Sequence, residues 1–224
     1  MSDDNVALIV GAGAGLSASL ARRATADGMS VALAARSPEK LDGLCAETGA
    51  TAYACDATQP DQVDALFEAV KTDFGIPNLV VYNPSGRVRG PLIELDRDAV
   101  LNAIMVSAYG GFLVGQKAAQ GMLQVGGGTI LFTGATASVK AVPKSAAFAM
   151  GKFALRGLAQ SMARELQPQN IHVGHFIIDG GIGKSGDDSK LDPDAIAESY
   201  FAVHHQHRSA WTWEMELRPF VESF

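Results

Sequence analysis

The sequence predicts a single α/β domain, a doubly wound parallel sheet of about seven strands with helices on both faces. Three observations carry this. Short apolar runs alternate with longer helical stretches along the whole chain, as expected for strands buried on both faces and covered by crossover helices. The chain opens with an apolar strand that runs through the glycine-rich turn Gly11-Ala-Gly13-Ala-Gly15 straight into a helix. Its 224 residues, 47 % of them hydrophobic and only 19 % charged, suit one large core and argue against disorder.

Taken in order, Val6–Val10 is the first strand, and Ser17–Asp27 is a helix ended by Gly28. Ser30–Ala35 is the second strand, and Pro38 opens a helix that stops near Gly49. Thr51–Cys55 is a third strand, Asp61–Phe74 a helix and Asn78–Tyr82 a fourth strand. A long helical region runs from about Asp96 to Val125, followed by a strand at Thr129–Thr133. Ser145–Gln167 is a long helix and Ile171–Ile178 the sixth strand. Lys184–Asp194, rich in Gly, Ser and Asp, reads as a mobile loop. Asp194–His204 reads as helix and Trp211–Leu217 as a last strand before Pro219. With no repeat and no linker, residues 1–224 form one domain.

Composition excludes several classes of function. Net charge is −6 and no Lys/Arg block is present, which argues against nucleic acid as a partner. Met1–Asn5 leads directly into an apolar strand with no basic start or cleavage site, so no signal peptide is expected. No apolar run approaches the roughly 18 residues of a membrane span, and no membrane partner is expected. Cys45 and Cys55 read as reduced thiols of a cytoplasmic protein. His204, His205 and His207 lie together at a helix end without recognised ligand spacing, and His172 and His175 face opposite sides of one strand. No metal site is expected.

A glycine-rich turn between a strand and a helix lets the backbone approach a pyrophosphate, which then meets the N–H groups of the first helical turn. Gly11, Gly13 and Gly15 fit, Leu16 continues the pattern, and Ser17 can donate to phosphate. At the end of the second strand, Ala35 offers no carboxylate for a ribose 2′-hydroxyl, whereas Arg36 can grip a 2′-phosphate. NADP(H) is therefore preferred, with NAD(H) the alternative; otherwise Arg36 is an exposed strand-end arginine. The helix from Ser145 is apolar almost all round (Phe148, Met150, Phe153, Leu155, Leu158, Met162, Leu166) and calls for a second packing partner. That partner is either another copy of the chain or a neighbouring element within the monomer.

These features together resemble the short-chain dehydrogenase/reductase family. Its glycine pattern reads here as Val10-Gly11-x-x-x-Gly15-x-Ser17, and its Tyr-x-x-x-Lys pair as Phe148-x-x-x-Lys152. The resemblance implies a Rossmann-like fold and hydride transfer between a nicotinamide and a small-molecule carbonyl, alcohol or enone. It implies a homodimer or homotetramer, with residues 184–210 as a substrate lid. Asp56, in Cys55-Asp56-Ala-Thr58, takes the place of an adenine contact, although an Asp/Thr turn also simply initiates a helix. Asn83, in Asn83-Pro84-Ser85-Gly86, pins the central strand, and Gly180 with Ile182 lies where the nicotinamide carboxamide would be met.

Carried over residue by residue, the catalytic positions fall on Lys152, which is retained, and on Phe148 at the tyrosine place. They also fall on Ala135 at the serine place and Ser107 at the asparagine place. Phe148 has no ionisable proton and Ala135 no hydroxyl. A positioned general acid contributes about 10²–10⁴ in rate, so their loss matters. Thr136, Ser145, Asp179, Lys152 itself or a water remain as substitutes. Two readings follow: an oxidoreductase with a non-standard proton donor, or an inactive dinucleotide-binding sensor or regulatory partner.

Overall fold

Along β1 (Val6–Val10) every side chain is buried, and the alternation of a strand sends them to two different cores. Val6, Leu8 and Val10 face one core, whereas Ala7 and Ile9 face the other. The computed structural model describes residues 5–222 of the chain. The reading of Met1–Asn5 as no signal peptide therefore falls, at residues 1–4, outside the described residues.

After β1 come α1 (Leu16–Ala26), β2 (Ser30–Ala35), α2 (Asp42–Thr48), β3 (Thr51–Ala54), α3 (Pro60–Phe74) and β4 (Leu79–Tyr82). Then follow α4 (Arg97–Ile104), α5 (Gly110–Val125), β5 (Gly128–Thr133), α6 (Ala146–Leu166), β6 (Ile171–Ile178), α7 (Pro193–His204) and β7 (Glu214–Leu217). All seven strands are parallel in one sheet of order β3-β2-β1-β4-β5-β6-β7. The direction of winding reverses between β1 and β4. In open parallel sheets ligands bind at that switch point, outside the carboxyl ends of the strands.

Helices α3, α5 and α6 cover one face through Val63, Phe67, Val114, Met122 and Leu155. Helices α1 and α7 cover the other through Leu16, Leu20, Ile196, Tyr200 and Phe201. Truncating a central residue such as Leu8 to Ala should cost about 2–5 kcal/mol.

The expected elements are present, with shifted ends. β4 starts one residue late because the Asn78 side chain accepts the backbone N–H of Val6 at 2.8 Å. β7 starts at Glu214 because the preceding segment turns to the side, where the Trp211 indole stacks on His172 at 4.6 Å. Lys184–Asp194 carries its own ties. Gly183 N donates to Leu191 O at 2.9 Å, and Asp194 holds both Lys184 (2.7 Å) and Ser19 (2.6 Å).

The long helical region is one run of 29 residues, Arg97–Val125, with a π-helical turn at Met105–Tyr109 between α4 and α5. It corrects one expectation, because by length and mean hydropathy (1.4) this helix is apolar enough to cross a membrane. The apolar character was hidden by polar residues such as Asn102, Ser107 and Gln116 interspersed among the hydrophobic ones. Here the buried side of the run packs on the sheet through Leu113, Val114, Ala118 and Met122, while Leu101, Phe112, Leu123 and Val125 are exposed.

Candidate functional site

The turn after β1 is shaped by one glycine above the others. Gly11 has φ +81°, and a Cβ there would lie 2.6 Å from the Pro84 ring in the loop after β4. Only glycine fits both constraints. Gly11 N and Ala12 N both donate to Ala34 O at 2.9 Å, which folds the turn over the end of β2. At Gly13 and Gly15 a Cβ would meet nothing within 4 Å, so the backbone there borders open space. Gly15 caps α1 without a side-chain bond, and no acidic residue stands in its first turn. The amino end of that helix is left free for an anion.

On the Gly13 side that space is a cleft of about 470 Å³. Of the residues singled out from sequence, Gly11, Gly13, Arg36 and Asp56 line it. Ser37 and Lys40 line it as well. Lys40 was not foreseen, although its spacing was a usable signal: four residues after Arg36, in the turn that Pro38 opens. Asp56 uses Oδ1 to accept Thr58 N (3.0 Å) and Thr58 Oγ1 (2.8 Å), the turn-forming arrangement.

Gly15, Leu16, Ser17, Asn83, Gly180 and Ile182 do not line this cleft. Leu16 is buried in the core. The Ser17 hydroxyl donates to Gly11 O at 3.1 Å and accepts Asn83 Nδ2 at 2.8 Å, so both side chains brace the glycine turn from beneath. Asn83 N also donates to Val10 O at 3.0 Å, which ties the ends of β1 and β4 together. Gly180 lies against Pro219, and Ile182 bridges to Leu191.

The second group of predicted residues gathers around α6. Phe148 and Lys152 are one turn apart on its buried side. Lys152 is 2 % exposed, and its Nζ donates to Thr133 O at 2.7 Å. Burial, with a smaller push from the Arg87 charge, lowers its pKa to about 7. The Arg87 guanidinium stacks 4.3 Å over the Phe148 ring, a cation–π contact. Ala135 stands in extended backbone just after β5, and its N–H is taken by Ser138 Oγ at 3.1 Å. Ser107, in the π turn, is fully buried with its hydroxyl accepting Gly86 N at 2.9 Å. A Cβ on Gly151 would come within 2.7 Å of Ser107, so this serine is a packing tie between the β4–α4 loop and α6.

The remaining polar groups are largely paired with each other. Thr136 Oγ1 donates to Asp179 Oδ1 at 2.5 Å, and Arg218 holds Asp179 Oδ2 at 2.7 Å. Tyr200 OH donates to Thr133 Oγ1 at 2.9 Å. Deeper in the same core, His175 Nδ1 lies 3.1 Å from Glu214, which also pairs with Arg156 at 2.6 Å. Burial pushes His175 down to about 4 despite the opposing pull of Glu214. His204, His205 and His207 diverge to Thr129, Asp27 and Ser209.

This arrangement has counterparts. A family model described as short chain dehydrogenase matches residues 5–186. A D-threitol dehydrogenase of Mycolicibacterium smegmatis is 28 % identical over 177 residues, covering 76 % of this chain and 68 % of that protein. The oxidoreductase asL5 of Sarocladium schorii is 29 % identical over 169 residues, 75 % of this chain and 68 % of its own length. A solved short-chain dehydrogenase from Rhodopseudomonas palustris superposes with a TM-score of 0.88 at 36 % identity, over 97 % of this chain and 99 % of that one. A metagenomic short-chain oxidoreductase in complex with NADP gives 0.86 at 26 % identity, over 97 % and 98 %.

Proposed function

This chain belongs to the short chain dehydrogenase family, and from that membership we propose an NADP(H)-dependent oxidoreductase with a non-standard proton donor. Its substrate is a carbonyl, alcohol or enone. The observation that carries the reading is the cleft in which the glycine turn and the cations Arg36 and Lys40 face one space. A dinucleotide suits that space. Gly13 leaves room where a Cβ would project into the cleft, and the uncapped end of α1 favours the pyrophosphate. Arg36 and Lys40 favour a 2′-phosphate over a bare ribose hydroxyl, so NAD(H) is the weaker carrier. Asp56 is assigned to the adenine edge, and Gly180 and Ile182 to the carboxamide end.

NADPH bound there supplies the hydride. Lys152 would hold the ribose hydroxyls beside a bound nicotinamide and, with its pKa near 7, is the one ionisable group at the Tyr-x-x-x-Lys pair. Its ammonium would be the proton source for the substrate oxygen, leaving the neutral amine, when a bound NADPH reduces the carbonyl carbon. Phe148 and Ala135, at the tyrosine and serine places, provide wall rather than chemistry. Ser107, at the asparagine place, holds the loop. Residues 184–210 close over the substrate. The half-exposed Met150 (52 %) and Phe153 (43 %) on α6, beside Phe112 and Tyr109 on the neighbouring helix, supply the apolar surface for a homo-oligomer.

Parallel calorimetric titrations with NADPH and NADH test this. Saturable binding that favours NADPH is expected, and silence from both at millimolar concentration would overturn the reading. The second reading, a dinucleotide-binding sensor without turnover, is favoured by the absent proton donor at Phe148 and Ala135. NADPH binding without oxidation by any of a panel of ketones, aldehydes and enones would select it. The double variant Phe148→Tyr, Ala135→Ser separates the two, since ketone reduction appearing only there means that the pocket is intact and only the acid is missing.

A further inference from the structure

Between the β4–α4 loop and the start of α6 lies another cleft, of about 420 Å³. Arg89, Pro91, Val142, Pro143, Lys144 and Ser145 line it. Its two walls are joined by Gly90 N donating to Lys144 O at 3.2 Å. Ser145 is three residues before Phe148 on α6, or about 4.5 Å along the helix axis. The cleft therefore adjoins the proposed reaction site.

Two cations, Arg89 and Lys144, stand on its two walls. The chain is acidic, at net −6, and Arg22, Arg23, Lys117, Arg156, Lys184 and Arg218 each hold a carboxylate. Arg87, Arg89 and Lys144 hold none among the described residues. Arg87 is laid over the Phe148 ring instead.

A second observation is independent of the cations. Ser145 is only 4 % exposed and lines the cleft, yet its hydroxyl makes no hydrogen bond, not even to the helix it caps. The 21-residue α6 carries no acidic residue in its first turn. By contrast, α4 and α7 are capped by the Asp96 and Asp192 carboxylates. An unpaired hydroxyl open to the cleft, at a helix start without a side-chain cap and beside cations that hold no carboxylate, is a set of donors without an acceptor. The rest of the lining, Pro91, Val142 and Pro143, is apolar.

We infer that this cleft binds the anionic head, carboxylate or phosphoryl, of an amphipathic organic ligand, through Arg89, Lys144 and the Ser145 hydroxyl. Its short apolar chain lies against Pro91, Val142 and Pro143. That this ligand is the substrate rests on the oxidoreductase reading. The binding site itself does not.

The test is calorimetric titration of NADPH-saturated protein with hexanoate, hexyl phosphate and hexanamide, which share a chain and differ in charge. Either anion should bind at least about tenfold tighter than the amide, with the advantage shrinking as salt is added. The advantage should vanish in the double variant Arg89→Ala, Lys144→Ala and survive in Arg89→Lys. The ratio of hexanoate to hexyl phosphate tells which head is preferred. Equal binding of the amide, no binding of any probe, or an anion preference retained by the double variant would overturn the site. A thermal melt and an NADPH titration of the double variant check its folding through the other cleft. If NADPH does not bind but hexanoate still discriminates in the unliganded protein, the cofactor reading falls and the anion site stands.

Discussion

The two ends of the proposed hydride path are built in opposite ways. Around Gly11, Arg36 and Lys40 the polar groups face an open cleft, and those facing it (the start of α1, Arg36, Lys40) are left without internal partners. Around Lys152 they face each other: Nζ on Thr133 O, Tyr200 on Thr133, Thr136 on Asp179, Asp179 on Arg218. The first region is a receptor and the second a closed floor. Unpaired donors at a surface cost little until a ligand arrives, whereas buried ones must be satisfied at once. Recognition of a carrier and management of a proton therefore place different demands on neighbouring parts of one sheet edge.

The largest expected effect breaks the closed side. Lys152→Ala should lower reduction rates by about 10²–10⁴-fold, read as kcat in a steady-state NADPH assay. A rate unchanged in that variant would remove Lys152 from the chemistry. On the open side, Arg36→Ala with Lys40→Ala should weaken NADPH by about 10–100-fold, the worth of charge-assisted contacts, and leave NADH nearly unchanged. Equal losses for both carriers would mean that these cations serve the pyrophosphate or nothing. Gly11→Ala tests the wall common to both regions. At φ +81° and 2.6 Å from Pro84, it should cost about 1–3 kcal/mol in a urea melt.

The smallest effects are in pH. Between its lowered pKa of about 7 and its ordinary 10.5, Lys152 binds a proton in the unfolded chain that the folded one refuses. Stability should therefore rise with pH across that window, and Lys152→Met should flatten the rise. Reduction that needs the ammonium should fall over the same range. His175 and His204, both lowered to about 4 by burial, work at the acid end. Below their ordinary 6.5 the unfolded chain gains protons that the native one resists, so stability should decline from there toward pH 4. Urea midpoints measured from pH 4 to 10 check both slopes.

How much of this was legible follows from distance along the chain. β1, β2 and β6 were readable to the residue, because each is a mainly apolar run with a polar residue or glycine close to both ends. The cleft was legible where backbone shape matters, at Gly11 and Gly13, and where a charge ends a strand, at Arg36. Side-chain commitments were not. Ser17, read as able to donate to phosphate, here donates to Gly11, through a geometry that no spacing rule encodes. Arg218 meets Asp179 only because β7 pairs with β6, a long-range fact. The π turn at Met105–Tyr109 has no local signature either, since nothing in Met-Val-Ser-Ala-Tyr distinguishes a wider turn from an ordinary one.

The position of β1 between β2 and β4 bears on how the chain is made. As the ribosome releases it, β1 can find β2 early, but its other edge waits for residues some seventy positions downstream, where Ala7 finally meets Leu79. Until then a fully apolar strand presents bare amides and carbonyls to any passing neighbour, the situation that favours aggregation. Nascent chains stalled before β4 should accordingly be the form that chaperones retain longest, and slow synthesis through residues 11–78 should lower soluble yield.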